Sequence, residues 1–483
     1  MAARSNYIPV ADPLFAPRAA GKPRAPVAAP SPVAYPEGFG SFTPEEKYRF
    51  FRELATTTAD KPFGSDEAAE TYRRRVRRWF DVVELREPDR VPSFLLCWGY
   101  AASYGGASQA ETFYDAAKTA EATLRFHADF EPDYATRVPA MPGRMFERLG
   151  IRMMRWPGGG RPDALGDDTP FQYVEGEYMR ADEYEELIRD PEGFLLRAWY
   201  PRVFENLKGL AGMPTFANGV EPTGLPGLLL PLALGPLRQA IDTLLAAADS
   251  CLADTLPVLL GMAEIQRRWG APNLLGGFAL APFDIIGDTL RGTRAVMLDM
   301  HRRPEALIAA CDAVTPAAIR MGVEGAMATG QPFVIIPLHK GDDTFMSEAQ
   351  FARFYWPSFK RQLEGIIAAG LVPLPFVEGA YTKKLDVIAG SDLPKGKVAW
   401  LFDRTDMRAA KEKLGGKACI GGNVPASLFM AGGADEMDGY CRRLIEQAAP
   451  GGGFFLAPGA VIDHATPEAL RAFLQTTRKY GVY

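Results

Sequence analysis

Short apolar segments that end in polar or glycine residues recur along the chain and predict buried strands. The clearest covers residues 371–377 and is followed at once by Glu378 and Gly379. A run this short and apolar indicates a strand buried on both faces, as in parallel sheets that are covered by helices. Eight segments are predicted as strands: residues 92–97, 133–138, 274–280, 332–338, 371–377, 398–402, 418–421 and 453–457.

Helix-length segments separate many of these strands. Residues 347–369 are an example, with Ser347 as the cap, Glu348 in the first turn and a glycine stop at Gly370. Alternation of strand and helix eight times predicts an α/β fold, a closed (β/α)8 TIM-type barrel, with a doubly wound open sheet as the alternative. The interval 139–273 is too long for one crossover, so we expect it to hold inserted helices or a subdomain.

The N-terminal region differs in composition from the rest of the chain. Residues 1–42 are predicted to be a Pro/Ala-rich tail, because they contain few large aliphatic side chains to bury. The folded domain is expected to span residues 43–483 and to begin with a helix capped by Thr43. A second helix, at residues 67–87, carries a run of five arginines at residues 73–78 that we interpret as a solvated or salt-bridged face.

Composition and charge restrict the classes of function. Hydrophobic residues make up 47% and charged residues 23% of the 483 residues, which is typical of a globular protein. The formal net charge of -5 leaves no basic excess to neutralise phosphates, so nucleic acid is not expected as a partner. The five cysteines lack CxxC spacing and the N-terminus lacks a signal-peptide layout, which favours a cytoplasmic location.

One long uncharged run, residues 222–237, needs separate consideration. It is shorter than the roughly 20 apolar residues of a membrane span, and glycines and prolines interrupt it. We therefore expect no membrane association. The run is interpreted as an internal loop and helix start packed against the body of the protein, with a mobile lid or a subunit contact as the alternative.

Polar side chains at the ends of the later strands are the candidates for chemistry, because a barrel brings them to one mouth. They are His339, Asp342 and Asp343 after the fourth strand, Glu378 and Tyr381 after the fifth, Asp403, Arg404 and Asp406 after the sixth, and Asn423 after the seventh. Asp463 and His464 follow the last strand and are either part of the rim or a helix cap.

Glu378, His339 and Asp403 are predicted as the catalytic residues. The apolar neighbours of Glu378 would raise its pKa toward neutrality, as suits a general acid or base; the alternative is a carboxylate paired with Arg404 or Lys383. The imidazole of His339 could relay a proton, bind a metal or serve only as a hydrogen-bonded loop residue. Together with Asp403, these residues are also feasible metal ligands. The identity of any metal stays open.

Arg404, Asn423, Tyr381 and Asp343 are predicted to bind substrate. A guanidinium at a strand end can hold a carboxylate or phosphate by paired hydrogen bonds. The alternative for Arg404 is a salt bridge within the segment Asp403-Arg404-Thr405-Asp406 that shapes the loop.

Several segments resemble the uroporphyrinogen decarboxylase superfamily, which includes a tetrapyrrole decarboxylase and corrinoid-linked methyltransferases. They are Asp89-Arg-Val-Pro92, Gly277-Phe-Ala-Leu-Ala-Pro-Phe283, Met346-Ser-Glu-Ala-Gln-Phe351, Trp356-Pro-Ser-Phe-Lys360, Gly422-Asn-Val-Pro425 and Thr466-Pro-Glu-Ala-Leu470. The resemblance runs from about Asp89 to the C-terminus. It implies a (β/α)8 barrel with its cleft at the C-terminal ends of the strands, and a homodimer.

The chain departs from both branches of this superfamily at functional positions. Where the decarboxylase has an arginine-bearing MRQAGRY segment, this chain has Leu95-Leu-Cys-Trp-Gly-Tyr-Ala101, which offers no cationic clamp. The methyltransferases carry HxCG after the fifth strand and a further cysteine that together bind zinc. Phe376, Glu378 and Ala460 occupy these places, so a conventional zinc-thiol site is not expected.

By resemblance, the function expected is methyl or one-carbon transfer to or from a small organic substrate, with a corrinoid protein as the possible partner. Decarboxylation of uroporphyrinogen or of another acid is the second enzymatic interpretation. A third class is a non-catalytic protein that binds a tetrapyrrole or a cobamide.

Overall fold

A computed structural model describes residues 33–136 and 141–483 of the chain. Its centre is a six-stranded parallel sheet in which the strands follow one another in sequence order, from β3 to β8. A separate antiparallel pair, β1 and β2, lies in the inserted segment. The strands are β1 Met154–Arg155, β2 Gln172–Tyr173, β3 Leu275–Phe278, β4 Phe333–Leu338, β5 Val372–Val377, β6 Ala399–Phe402, β7 Cys419–Val424 and β8 Phe454–Pro458.

Two further segments lie between β8 and β3. Residues 92–96 run beside β8, where the Phe94 N–H donates to the Leu456 carbonyl at 2.8 Å. The next segment is joined to residues 92–96 by the Thr136 hydroxyl, which donates to the Leu95 carbonyl, and to the chain before β3 by the Ala135 N–H, which donates to Pro272. The prediction of a TIM-type barrel is confirmed for its six regular strands, while the two segments beside them do not close a continuous ladder.

The first two predicted strands are irregular for a physical reason. Pro92 has no N–H to donate, and the Ser93 N–H donates to the carboxylate of Asp133 instead of to a strand carbonyl. Residues 137 and 138 of the second predicted strand lie outside the described residues. The other six predicted strands correspond to β3 to β8.

Helices cover the outside of the sheet and fill most of the inserted segment. The helices are α1 Pro44–Thr56, α2 Asp66–Val83, α3 Gly99–Tyr104, α4 Gln109–Tyr114, α5 Ala116–Phe130, α6 Gly143–Leu149, α7 Tyr184–Arg189, α8 Pro191–Phe194, α9 Tyr200–Val203, α10 Leu225–Ala233, α11 Gly235–Trp269, α12 Pro282–Asp284, α13 Thr293–Arg302, α14 Pro304–Thr329, α15 Glu348–Gln350, α16 Trp356–Ala368, α17 Leu385–Ala389, α18 Met407–Leu414, α19 Ala426–Ala431, α20 Ala434–Ala448 and α21 Pro467–Tyr480.

Short 3-10 and π segments connect several of these helices. The 3-10 segments are Phe39–Ser41, Glu205–Gly212, Phe216–Gly219, Pro222–Gly224 and Thr382–Lys384. The π segments are Leu195–Trp199, Ile285–Leu290 and Phe351–Tyr355. The predicted helix at 347–369 is therefore α15 and α16 joined by a π turn, with Ser347 as its cap and Gly370 at its end with a positive φ of 81°.

The first two helices begin where the sequence predicted. Thr43 and Glu46 form a reciprocal capping box at the start of α1. On α2, two of the arginines are buried and bind one carboxylate: the Arg78 Nη1 lies 3.0 Å and the Arg75 Nε 3.7 Å from Asp133 Oδ1. Arg90 adds a further ion pair to the same group. This buried network ties α2 to both irregular segments of the barrel.

The apolar run at 222–237 does not pack as the sequence predicted. Most of its leucines in α10 face outward, and Leu230 and Leu234 are 59% and 65% exposed. The following helix, α11, contacts α5 and α6 along one side and exposes Leu245, Leu252 and Leu259 on another. By length and composition alone, α11 and α14 could each cross a membrane, but a core helix passes the same test and α14 packs against β3 and α16.

Candidate functional site

Polar residues from four neighbouring strand ends surround one mouth of the barrel. His339 follows β4, Glu378 follows β5 and Asp403 follows β6, while Asn423 lies near the end of β7. The strands are parallel and paired in this order, so their C-terminal ends meet at one edge of the sheet.

The imidazole of His339 is held between two carboxylates. Its Nδ1 lies 2.5 Å from Asp288 Oδ2, and its Nε2 lies 3.9 Å from Glu378 Oε2. The second oxygen of Asp288 pairs with the ammonium of Lys340 at 3.0 Å. The structure therefore brings together two of the predicted catalytic residues, and it adds Asp288 and Lys340 to them.

Asp284 fixes the backbone on which His339 and Lys340 stand. Its side chain is fully buried. Its two oxygens accept the backbone N–H groups of His339 and Lys340, each at 3.0 Å, and the hydroxyl of Tyr355 at 2.7 Å. Asp284 and Asp288 reach the same side because they are four residues apart at the junction of α12 and the π segment Ile285–Leu290, just after β3.

We define the acid–base cluster as Asp284, Asp288, His339, Lys340 and Glu378. Burial and neighbouring charges shift the pKa values of its members in different directions. Burial and the charge of Asp288 raise the pKa of Asp284 to about 6. Burial alone would raise the pKa of Asp288, but its hydrogen bond to His339 and the charges of His339 and Lys340 hold it below its usual value.

The pKa values of His339 and Glu378 are both raised, as suits groups that exchange a proton. Burial lowers the pKa of His339, but the hydrogen bond to Asp288 and the surrounding carboxylates raise it to about 9. Burial raises the pKa of Glu378, although the charge of His339 opposes this shift. At neutral pH the cluster thus holds an imidazolium next to a carboxyl group with increased proton affinity. Glu378 is 49% exposed at its side chain, so substrate or water can reach it.

Asp403 and Asn423 shape the loops beside the cluster. One oxygen of Asp403 accepts the Gly379 N–H at 3.0 Å, which links the β6 loop to the residue after Glu378. Burial raises the pKa of Asp403. The amide of Asn423 donates to the Thr405 carbonyl at 2.8 Å. A direct role of either residue in chemistry or substrate binding stays a prediction.

Arg404 is an exposed cation at the mouth. Its side chain is 67% exposed, with Nε 3.6 Å from Asp403 and Nη2 3.8 Å from Asp342. Both distances are longer than a charge-assisted hydrogen bond, so the guanidinium N–H groups can donate to another anionic partner. The alternative pairing of Glu378 with Arg404 or Lys383 is not the arrangement seen, because the ion pair of Glu378 is with His339.

Tyr381 and Asp343 are both engaged by neighbouring groups of the protein. Tyr381 is fully buried, and its ring packs edge-on against Phe351. Asp343 pairs with the buried ammonium of Lys384 at 3.2 Å and accepts the Lys383 N–H. In this conformation both support the loop after β4, and contact with a substrate stays a prediction.

The rim contains the remaining predicted residues. Asp406 caps α18 by accepting two backbone N–H groups. Asp463 accepts the Gly99 N–H at 3.2 Å, and burial raises its pKa. Thr466, rather than Asp463 or His464, caps the final helix.

Sequence reasoning missed Asp284, Asp288, Lys340 and Tyr355. The first two follow the third strand on a helix and not in a loop, which is why the search of strand ends passed over them. A usable signal was present: two aspartates four residues apart immediately after a strand that ends in an Ala-Pro-Phe turn. Tyr355 carries no such signal, because its link to Asp284 spans 71 residues.

Asp284, Asp288 and His339 have the donor atoms to hold a metal ion, since one ligand atom from each lies within 4.8 Å of the others. This set differs from the predicted set of His339, Glu378 and Asp403. The present partners oppose a cation: Lys340 neutralises Asp288, and both oxygens of Asp284 already accept hydrogen bonds. The thiols of Cys97, Cys311, Cys419 and Cys441 are buried, and burial raises their pKa values.

Comparison with known proteins agrees with this architecture. A solved structure described as a methyltransferase from Methanosarcina mazei superposes with a TM-score of 0.52 at 17% sequence identity, covering 83% of this chain and 98% of that chain. At this identity the match shows the shared fold. The search of curated proteins found no match. The profile of the uroporphyrinogen decarboxylase (URO-D) family matches residues 234–480, just over half of the chain and including every residue of the acid–base cluster. The chain therefore belongs to the uroporphyrinogen decarboxylase family.

Proposed function

We propose that this protein is an enzyme of methyl or one-carbon transfer in which His339 delivers a proton to the leaving group of a small methyl donor. The observation that carries the proposal is the imidazole of His339, held 2.5 Å from Asp288 and 3.9 Å from Glu378 at the mouth of the barrel. A positioned imidazolium that is partly accessible is a suitable general acid.

Transfer of the methyl group is coupled to transfer of a proton from His339. The bond between the methyl carbon and an oxygen or nitrogen of the donor breaks as the methyl group passes to a nucleophilic acceptor. The leaving atom takes the Nε2 proton of His339. Asp288 stabilises the imidazolium before the transfer, and Glu378 is placed to return a proton from solvent to Nε2.

We propose that a corrinoid on a partner protein supplies the nucleophile, as the superfamily resemblance implies. The exposure of Glu378 and Arg404 supports an acceptor brought from outside, because both side chains are reachable at the mouth. Phe376 and Ala460 stand where the zinc-dependent relatives have metal ligands, so the acceptor is not expected to be a zinc-bound thiol.

Decarboxylation of an organic acid is the second candidate, and Arg404 favours it. A loosely paired guanidinium can hold a substrate carboxylate next to the cluster. In that reaction the carbon–carboxylate bond breaks, carbon dioxide leaves, and the carbanion takes the proton from His339.

Turnover assays distinguish these candidates. The purified protein is mixed anaerobically with cob(I)alamin and methanol, anisole or trimethylamine, and methylation is followed by the visible spectrum of the cobalamin. H339Q is expected to lower the rate by about 10²–10⁴-fold. H301Q, which changes an exposed histidine on α13, is the control and should keep the wild-type rate.

The same protein is tested for carbon dioxide release from uroporphyrinogen and from small carboxylic acids. Release that depends on His339 and Arg404 would favour decarboxylation over methyl transfer. Binding of cobalamin without turnover of any compound would instead favour a non-catalytic binding protein. Wild-type turnover by H339Q would remove His339 from the mechanism.

A further inference from the structure

An apolar face runs along α10 and α11 in the inserted segment. Eight leucines of these helices and of the turn between them are between 38% and 65% exposed. They are Leu225, Leu229, Leu230, Leu234, Leu245, Leu252, Leu259 and Leu260. No Asp, Glu, Lys or Arg occurs at residues 222–237. Contiguous apolar surface on a folded protein marks a site of association.

Four of these leucines lie in a straight line along α11 and are called the leucine stripe: Leu234, Leu245, Leu252 and Leu259. The last three recur every seven residues, and Leu234 precedes Leu245 by eleven. Seven and eleven residues are nearly whole numbers of turns at about 3.6 residues per turn, so the four side chains fall within roughly 40° of one direction.

A different side of α11 packs on the body of the protein. Ala240, Ala247 and Val258 are buried on that side, roughly 120° to 140° from the leucine stripe, and α11 contacts α5 and α6. The stripe is therefore available to another molecule. A heptad repeat of leucines is the pattern by which one helix packs against a second helix.

The area of the apolar face is close to that of a subunit contact. The eight leucines together expose roughly 600 Å², at the upper end of what a monomer shows in one patch. Because α10 packs against α11, the two groups of leucines adjoin. Each partner in a stable interface contributes about 800 Å², which the exposed residues beside the stripe bring within reach.

The charges beside the leucine stripe disfavour a membrane as the partner. Asp242 and Asp249 are exposed next to the stripe. Arg238 on the same side is already paired with Asp242 at 2.8 Å. Helices that lie on membranes carry Lys and Arg to bind anionic headgroups, which these aspartates would repel.

A second copy of the chain supplies a matching apolar surface, whereas the N-terminal tail does not. Residues 1–32 contain one leucine and one isoleucine. Leu245 and Leu259 are equally far from Leu252, so the stripe matches itself when two copies lie antiparallel about a twofold axis at Leu252. This orientation also separates the two copies of Asp249, which a parallel pairing would place side by side.

We infer that two copies of this chain associate through antiparallel α11 helices. Leu252 lies at the twofold axis, Leu245 of each copy packs against Leu259 of the other, and α10 adds its leucines at each end of the contact. This association is independent of the reaction proposed at the mouth of the barrel.

Size-exclusion chromatography with light scattering measures the association. The wild type at micromolar concentration is expected to have twice the chain mass of 52.8 kDa. L252E places two carboxylates against each other at the axis and should give a monomer with an unchanged circular dichroism spectrum. L298E changes an exposed leucine of α13 and is the control that should stay dimeric. A monomeric wild type, or a dimer that L252E leaves intact, would overturn the inference.

Cysteine cross-linking tests the register of the two helices. Every variant also carries C251S, because Cys251 is the native cysteine that is not buried, and C251S alone is the control that should not cross-link. L252C is expected to form a disulfide-linked dimer by itself. L245C and L259C should cross-link when they are mixed and allowed to exchange subunits, but not separately. Self-linkage of L245C would indicate parallel helices and overturn the antiparallel register.

Vesicle flotation tests a lipid surface as the partner. Wild-type protein is mixed with vesicles of phosphatidylcholine and phosphatidylglycerol, and it is expected to stay in the soluble fraction. Flotation that L252E abolishes, by a protein that is monomeric in solution, would assign the leucine stripe to a membrane and overturn the dimer.

Discussion

Replacing Asp288 by asparagine is expected to return the imidazole of His339 toward the pKa of a free histidine. Burial lowers the pKa of His339, while the hydrogen bond to Asp288 and the charges of Asp284, Asp288 and Glu378 raise it to about 9. D288N removes both the charged hydrogen-bond acceptor and one of these charges. It leaves Asp284 and Glu378 in place.

The magnitude follows from the geometry of the pair. Two unit charges about 4 Å apart interact by about 1 kcal/mol in water and about 4 kcal/mol at an effective dielectric constant of about 20. The side chains of Asp288 and His339 are 20% and 31% exposed, which places the pair between these limits. Since one pKa unit corresponds to about 1.4 kcal/mol, we expect the pKa of His339 to fall by about 2 units in D288N.

Histidine NMR measures this shift directly. The chain has four histidines, and the Cε1–H signal of His339 is assigned by its absence in H339Q. D386N replaces an exposed aspartate that pairs with Lys413 and serves as the control. A wild-type His339 that titrates near 6.5, or a pKa of His339 that D288N leaves unchanged, would refute the proposed electrostatics.

The stability of the protein should show the same linkage. Because the pKa of His339 is raised in the folded state, its contribution to stability is complete below pH 6.5 and is lost as the pH rises through about 9. D288N should therefore lower the urea midpoint more at pH 6 than at pH 10. An equal loss at the two pH values would indicate that Asp288 stabilises the fold independently of the histidine charge.

Three further substitutions test other parts of the structure. D133N leaves Arg75 and Arg90 without their carboxylate, while Arg78 keeps its pair with Asp89, so the free energy of unfolding should fall by about 3–5 kcal/mol at pH 7; a urea-measured loss below about 1 kcal/mol would contradict this. The wild-type contribution of Asp133, whose pKa the arginines lower despite its burial, is present above about pH 4 and is lost at more acidic pH. Y355F removes a hydrogen bond that lowers the pKa of Asp284, so any limb of the pH–rate profile that belongs to Asp284 should move above about 6; an unmoved profile would exclude Asp284 from it. G379A places a Cβ 2.4 Å from Asp342 at a φ of 89° and should lower Tm, whereas G433A, which meets no atom within 4 Å, should not; equal Tm values would contradict the strain.

The later half of the fold was predictable because its strands are short apolar runs with polar ends. β4 to β8 follow these runs closely, and His339 and Glu378 meet because β4 and β5 are neighbours in the sheet. The first two segments of the barrel were less predictable. Their pairing is altered by Pro92 and by the carboxylate of Asp133, whose arginine partners are distant in sequence.

The candidate site was predictable only where strand ends carry it. Asp284 and Asp288 stand on a short helix and a π segment rather than in a loop at a strand end, so a search limited to such loops passes over them. Local patterns therefore indicated part of the proton-handling group, while the orientation of its side chains depends on long-range packing.

The irregular closure between β8 and β3 has a consequence for how the barrel opens. Residues 92–96 and 133–136 are joined to their neighbours by scattered bonds and by the Asp133 network rather than by a full ladder. Deuterium uptake at these amides should exceed that of β4 and β5, which share six consecutive register pairs. The barrel would then part first along this seam, and acid strong enough to protonate Asp133, whose pKa the arginines hold below its usual value, would speed the parting.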